Sequence, residues 1–234
     1  MKYTPWLAFL LSLVCAMAAL APAVADPTGT IVCNYVHPDC LSNHYLLVWV
    51  AEQLAHGQSL LHNDRYYWPI GDAPWLAGNG SEGFLYLPFH LIWGWPLGSN
   101  LYLVMILTLN GLAGYRLARA LGASPLASLA AAPTGALLLY PIHELGAGRF
   151  SQASACWLGF FLAEWILLVR EGSEASFFRA VKAGIFLFVT SFFYWYHGLF
   201  GVMAGRSGRG CIFRGRTCGK SWCGWGCFRR PIWC

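Results

Sequence analysis

Between residues 26 and 83 the chain gathers most of its acids: Asp26, Asp39, Glu52, Asp64, Asp72 and Glu82, against one cation, Arg65. Four of the seven histidines, His37, His44, His56 and His62, fall in the same stretch, with the aromatic run Tyr66-Tyr67-Trp68-Pro69. Carboxylates and imidazoles are the groups that give up and accept protons in the working pH range. Such a segment can therefore offer a general base to a substrate hydroxyl. A second polar island, His143 to Arg149, joins an imidazole to a guanidinium, whose planar fork matches the oxygens of a phosphate. A third, Glu164, sits inside an apolar run, where an ionised group is costly and is a functional candidate by default. With Arg170 further along the same run, a paired or snorkelling glutamate is the competing account.

What must hold these groups in place is a membrane. The 234-residue chain is 57% hydrophobic and only 11% charged, against about a quarter charged in soluble domains. Side chains that face lipid need no polar coat. The expected fold class is all-α: a polytopic transmembrane helical bundle whose long first outer loop carries an interfacial helix. Spans are expected near 5–25, 101–121, 126–142, 153–169 and 183–203, with the outer loop over 26–83. The first run ends Ala23-Val24-Ala25, a pattern that also fits signal-peptide cleavage; the further spans downstream favour an uncleaved helix. Either way Asp26 onward lies outside.

Within the loop, His44 to His56 predicts a helix lying on the membrane surface with Trp49 at headgroup depth. Asn63 to Asn79 is rich in Gly, Pro, Asn and Asp and predicts irregular chain. Phe84 to Trp95 is apolar but short, with Pro88 inside it and Pro96 after it, and reads as a re-entrant or interfacial piece or the start of a broken span. If the spans alternate, Lys2, Arg116, Arg119, Arg170, Arg179 and Lys182 share one side, which the excess of cations in cytoplasmic loops makes the cytosol. The amino terminus is then cytoplasmic, and the acidic segment and the His143 turn share the outer face. Trp and Tyr at span ends, such as Trp93, Trp95 and Tyr115, read as an interfacial belt.

The formal charge of +5 is confined to one tail: from Gly205 onward there are seven basic residues and no acid, and the rest holds eight Lys/Arg against ten Asp/Glu. That excludes a basic nucleic-acid binder. The tail, 204–234, is mostly Gly, Arg, Cys and Trp without helical or strand periodicity. Its composition is that of GC-rich DNA translated out of frame from near Ala204, so the expectation is a truncated chain ending in disordered or out-of-frame sequence. Cys218, Cys223 and Cys227 offer a zinc site as the alternative, but the paired CxxC knuckles are missing. Cys33 and Cys40 in the outer loop form a disulfide or stay as two thiols; spacing does not choose between these.

Three groups of residues carry a family likeness: His37-Pro38-Asp39 with His44 to Trp49, Tyr66-Tyr67-Trp68-Pro69 followed by Gly80-Ser81-Glu82, and Tyr140-Pro141-Ile142-His143-Glu144. Over roughly Pro5 to Met203 the sequence resembles the membrane-embedded GT-C glycosyltransferases, particularly the bacterial relatives of the mannosyltransferase and arabinosyltransferase families. Such enzymes continue through several more spans than this chain has. The resemblance implies a bacterial inner-membrane enzyme that moves a sugar from a polyprenyl-phosphate donor to an acceptor on the outer face of the bilayer. It implies Asp39 as the loop acid, acting as general base or, in some members, as ligand of a divalent metal ion. Arg149, with His143 beside it, would hold the donor phosphate, and Asp72 and Glu82 would line an acceptor groove. No metal-ligand set is assigned. The plainer alternatives are a solvated aspartate or helix cap for Asp39, a helix-boundary residue for Asp26, solvated acids for Asp72 and Glu82, and an ordinary lipid-headgroup contact for Arg149. For the whole chain they are a non-enzymatic transporter or accessory subunit, or an inactive truncated product.

Overall fold

The computed structural model describes residues 3–34, 36–37, 39–63, 73–74, 81–172 and 176–217. Apolar runs become helices in lipid because backbone N–H and C=O groups have no water to bond and must satisfy one another. The chain opens with α1 (Thr4–Ala19) and the short α2 (Ala21–Ala25), and a loop segment leads to α3 (Asp39–Ala55). Two-residue strands β1 (His62–Asn63) and β2 (Ala73–Pro74) pair antiparallel. Then come α4 (Ser81–Trp93), α5 (Leu97–Ala120), α6 (Pro125–Ala136), α7 (Leu139–Gly146), α8 (Phe150–Ala153), α9 (Cys156–Glu171), α10 (Phe177–Phe193) and α11 (Trp195–Thr217). Local chemistry sets several starts: the Ser124 and Ser176 side chains accept the backbone N–H of Ala127 and Arg179, capping α6 and α10, which satisfies donors left over at a helix start.

The protein is a polytopic helical membrane bundle. Three runs are long and apolar enough to cross a bilayer: Leu97–Ala120, Pro125–Gly146 and Phe150–Glu171. In the second, 28% of the apolar window is buried inside the protein, so most of it turns outward, as a lipid-facing helix must and a soluble core helix cannot. α1 is apolar but shorter; the 5–25 run breaks at Leu20, where Pro22 opens α2. α5 is the central post, with α1, α4, α6 and α9 packed around it. Small residues let it come close: a Cβ on Gly135 would lie 2.6 Å from the Asn110 carbonyl oxygen, and one on Gly111 would overlap the Ser12 hydroxyl. Close backbone approach replaces the hydrophobic drive that lipid removes.

Three expectations are corrected. The helix expected over 44–56 begins at Asp39, and Trp49 is 2% exposed, covered by protein rather than facing lipid. α3 packs on α4, and Leu47, Val50 and Ala51 bury with Trp49, so the hydrophobic face that sequence assigned to lipid is covered by protein. The apolar run 183–203 is not one span. Tyr194 leaves helical geometry (φ −150°, ψ 102°), and α11 doubles back along α10, with Gly198 against Ser191 and Gly201 against Leu187. The chain after Met203 therefore returns towards the end of the bundle that already carries Arg116, Arg170 and Arg179: Arg206 and Ala180 line one cavity. Thirdly, α11 is helical as far as Thr217, into the stretch expected to be disordered or out of frame.

Candidate functional site

Two loop segments meet at one end of the bundle. The backbone N–H of Asn34 donates to the Gly146 carbonyl at 2.7 Å. Gly148, at φ +77°, lets the turn between α7 and α8 lie so close that a Cβ there would be 2.7 Å from Cys40 Cα. Only glycine combines that backbone conformation with that proximity. Cys33 and Cys40 are joined in a disulfide, which closes the loop carrying His37 and leads directly into α3. At the start of α5 the Asn100 amide donates to the carbonyls of Pro27 and Thr30 at 3.0 and 2.7 Å. His44 bonds the Val32 carbonyl through Nε2 at 3.0 Å and faces the Ser99 hydroxyl through Nδ1 at 3.2 Å. The carbonyl can only accept, so the proton is on Nε2 and Ser99 donates to Nδ1. Burial lowers the His44 pKa below its usual 6.5, opposed in part by the Val32 bond. His44 is a structural pin.

These fastenings bring Asp39 and Arg149 into one cluster. Asp39 opens α3, where the positive end of the helix dipole favours a carboxylate; its side chain is 49% exposed, and Oδ2 lies 3.6 Å from His37 Nδ1. His37 Nε2 lies 3.3 Å from Arg149 Nη2. A guanidinium has only donors, so in its contact with Arg149 Nε2 accepts; at Nδ1 the ring meets both the Asp39 carboxylate and the Asp39 backbone N–H, which lies 3.4 Å away. Arg149 Nε is 2.9 Å from Glu144 Oε2, and the Glu144 side chain is 6% exposed. The two atoms form no aligned hydrogen bond, so the contact is an ion pair. Tyr140 and Tyr194 stand within electrostatic range of Glu144 and Arg149. The order Glu144, Arg149, His37, Asp39 runs from buried to exposed, and what it presents to the surroundings is a carboxylate backed by a cation.

The remaining predicted residues divide. His143 is exposed on α7 and turns away from this cluster; its neighbour Glu144, about 100° round the helix, is the one that turns in. Glu82 lines no groove: it is 0% exposed, at the start of α4, with Gly83 against Val50. Burial pushes its pKa from 4.5 up to about 8, with the Ser154 hydrogen bond opposing. Ser154 Oγ sits 2.9 Å from the Phe150 carbonyl and 3.2 Å from Glu82 Oε1. The Ser154 hydroxyl thus faces two acceptors, and the part of it that reaches Glu82 Oε1 is the contact that opposes the rise in the Glu82 pKa. Asp72 lies outside the described residues. Asp26 closes its own turn on Gly29 and Thr30, as a boundary residue does.

No protein-family model, curated protein or solved structure matches this chain. The site is read from its own geometry. Among the described residues no three His, Cys, Asp or Glu side chains group as a metal ion needs, and Arg149 beside the His37–Asp39 pair would repel a divalent cation. The described residues of this cluster do not fit a metal. Sequence reasoning passed over Glu144 and His37 as site members. Their signal was present: an acid and an arginine bracket the small turn Leu145-Gly146-Ala147-Gly148, and a histidine stands two residues before the loop acid.

Proposed function

We propose that this protein is a membrane glycosyltransferase of the GT-C kind that takes a sugar from a polyprenyl-phosphate donor and passes it to an acceptor hydroxyl at the outer face of a bacterial inner membrane, the amino terminus being cytoplasmic. The observation that supports the reading is the linked set Asp39, His37 and Arg149 at one end of a lipid-embedded bundle. Asp39 takes the proton from the acceptor hydroxyl as the oxygen bonds to the anomeric carbon. The bond from that carbon to the phosphate oxygen breaks, and polyprenyl phosphate departs with the electron pair. Arg149 offsets the negative charge that grows on the phosphate, and Glu144 holds the guanidinium in position for it. His37 is a positioning residue that orients Asp39.

The experiment is sugar transfer by membranes containing the full chain, with Asp39→Asn beside wild type. Transfer should be lost while membrane insertion is unchanged; full activity in the variant would remove the assignment. The non-enzymatic transporter reading asks for intramembrane charges that face a cavity. Its candidate, Glu164, is held by Arg116 and Arg179 at 2.5 and 3.1 Å, and loss of transfer in Asp39→Asn would weigh against that reading.

A further inference from the structure

At the opposite, basic end of the bundle two cavities share a wall made of Arg116, Glu164 and Leu167. The first, about 230 Å³, is closed by Ser176, Arg179 and Lys182. The second, about 530 Å³, runs on between α5, α9 and α10 past Leu112, Tyr115, Phe160 and Phe186, with Pro5 of α1 at its side. A charged chamber thus borders an apolar groove. That is the outline of an amphiphile with an anionic head and a hydrocarbon chain.

The charged chamber is already built. Glu164, 5% exposed, holds Arg116 Nη2 at 2.5 Å and Arg179 Nη1 at 3.1 Å, and Arg179 Nε also meets Glu171 at 2.8 Å. Both guanidinium groups are therefore fixed before any ligand arrives, so little side-chain entropy remains to be lost on binding. Among the described residues three cations line the chamber, against the carboxylate of Glu164 in its wall and that of Glu171 behind Arg179. Lys182 has no carboxylate within 4.0 Å among the described residues; its ammonium stands 4.8 Å over the Phe178 ring. Arg119 adds a further cation at the mouth of the groove.

We propose that this end binds an anionic phospholipid of the surrounding bilayer, its headgroup phosphate among Arg116, Arg179 and Lys182 and one acyl chain in the groove beneath. The charge of the chamber selects an anion. The groove selects a lipid over a free phosphate, because burying hydrocarbon supplies the larger part of the affinity. The bilayer is the source that is always beside the groove, whereas the polyprenyl-phosphate donor of the proposed reaction is used at the other end. The two sites share no residue, so either can fail alone.

The test is native mass spectrometry of the full chain in detergent micelles, equilibrated separately with phosphatidylglycerol, phosphatidylcholine, inorganic phosphate and undecaprenyl phosphate. Phosphatidylglycerol should be retained about five-fold more than phosphatidylcholine, from the one chamber cation that neither Glu164 nor Glu171 compensates, and inorganic phosphate should not be retained. Lys182→Ala, which leaves both Glu164 ion pairs standing, should lower phosphatidylglycerol retention about five-fold. Leu112→Trp, which fills the groove, should lower retention of both phospholipids. Equal retention of the two phospholipids by wild type would overturn the proposal without any variant. So would unchanged retention in a Lys182→Ala protein of wild-type helix content, or displacement of phosphatidylglycerol by an equimolar amount of undecaprenyl phosphate.

Discussion

The two ends of the bundle are built from the same parts and present opposite faces. Each sinks a glutamate almost completely, Glu144 at the loop end and Glu164 at the basic end, with side chains 6% and 5% exposed. Each uses that glutamate to fix arginine. At the loop end one arginine is fixed, and it leads through His37 to an exposed acid, Asp39. At the basic end two arginines are fixed, and the group left outside is a lysine, Lys182. A buried carboxylate costs several kcal/mol unless it is paired, so both glutamates serve as anchors. Function lies with whatever the anchor leaves facing out: a base for a hydroxyl at one end, a cation for an anion at the other.

The largest effect expected from breaking that contrast is on catalysis. Asp39→Asn should lower sugar transfer by about 10²–10⁴-fold, the usual contribution of a general base, and leave thermal stability in detergent unchanged. Glu164→Gln should do the reverse. Transfer persists, but Arg116 loses its counter-charge and Arg179 keeps only Glu171, at a cost of about 2 kcal/mol after allowing for their partial exposure. That corresponds to a melting temperature roughly 4–8 °C lower. A variant pair in which both properties moved together would mean that the ends are not independent.

Gly148→Ala probes the seam between the two loop segments. A Cβ at φ +77° and 2.7 Å from Cys40 Cα should cost about 1–3 kcal/mol and draw Arg149 away from His37. Both melting temperature and transfer should fall; loss of stability with transfer intact would detach Arg149 from the chemistry.

Glu82 gives a pH signature. Its folded-state pKa, about 8, lies above the ordinary 4.5, so across that window the folded chain holds a proton that the unfolded chain has released. Stability therefore falls as pH rises from 5 to about 8, by up to ~1.4 kcal/mol for each step of one in pH, and levels off above. Glu82→Gln cannot ionise, and its melting temperature should vary less across the same range. Parallel curves for the two proteins would place the titrating group elsewhere. The smallest effect is reserved for His143→Ala: exposed and outside the cluster, it should change stability by under ~0.5 kcal/mol and leave transfer alone. A clear loss of transfer would return His143 to the site.

Much of the fold was legible in the sequence, because lipid imposes a simple rule: about twenty apolar residues make a span. Leu97–Ala120, Pro125–Gly146 and Phe150–Glu171 follow from it. The rule failed where protein rather than lipid covers an apolar face, as at Trp49, and where a long run hides a reversal, as at Tyr194. Hydropathy counts apolar residues without registering which neighbour buries them. At the site, Asp39 and Arg149 were legible as residue types. Their connection was not, since it passes through His37 and depends on Gly148 lying against Cys40, far away along the chain. Glu82 read as a solvated acid, yet it is fully buried where α4 packs on α3, with Val50 against the adjacent Gly83.

Sequence by itself determined that the chain is membrane-embedded and helical, that its acids gather in one stretch of the first half, and that its cations recur between spans. Those are properties of composition and period, and they survive any rearrangement of the helices. Tertiary structure decided which carboxylates became buried anchors and which stayed open to a substrate. That choice depends on distances between residues far apart in the chain, and a charge separated from its partner by lipid or by water is a different chemical group from the same charge at about 3 Å.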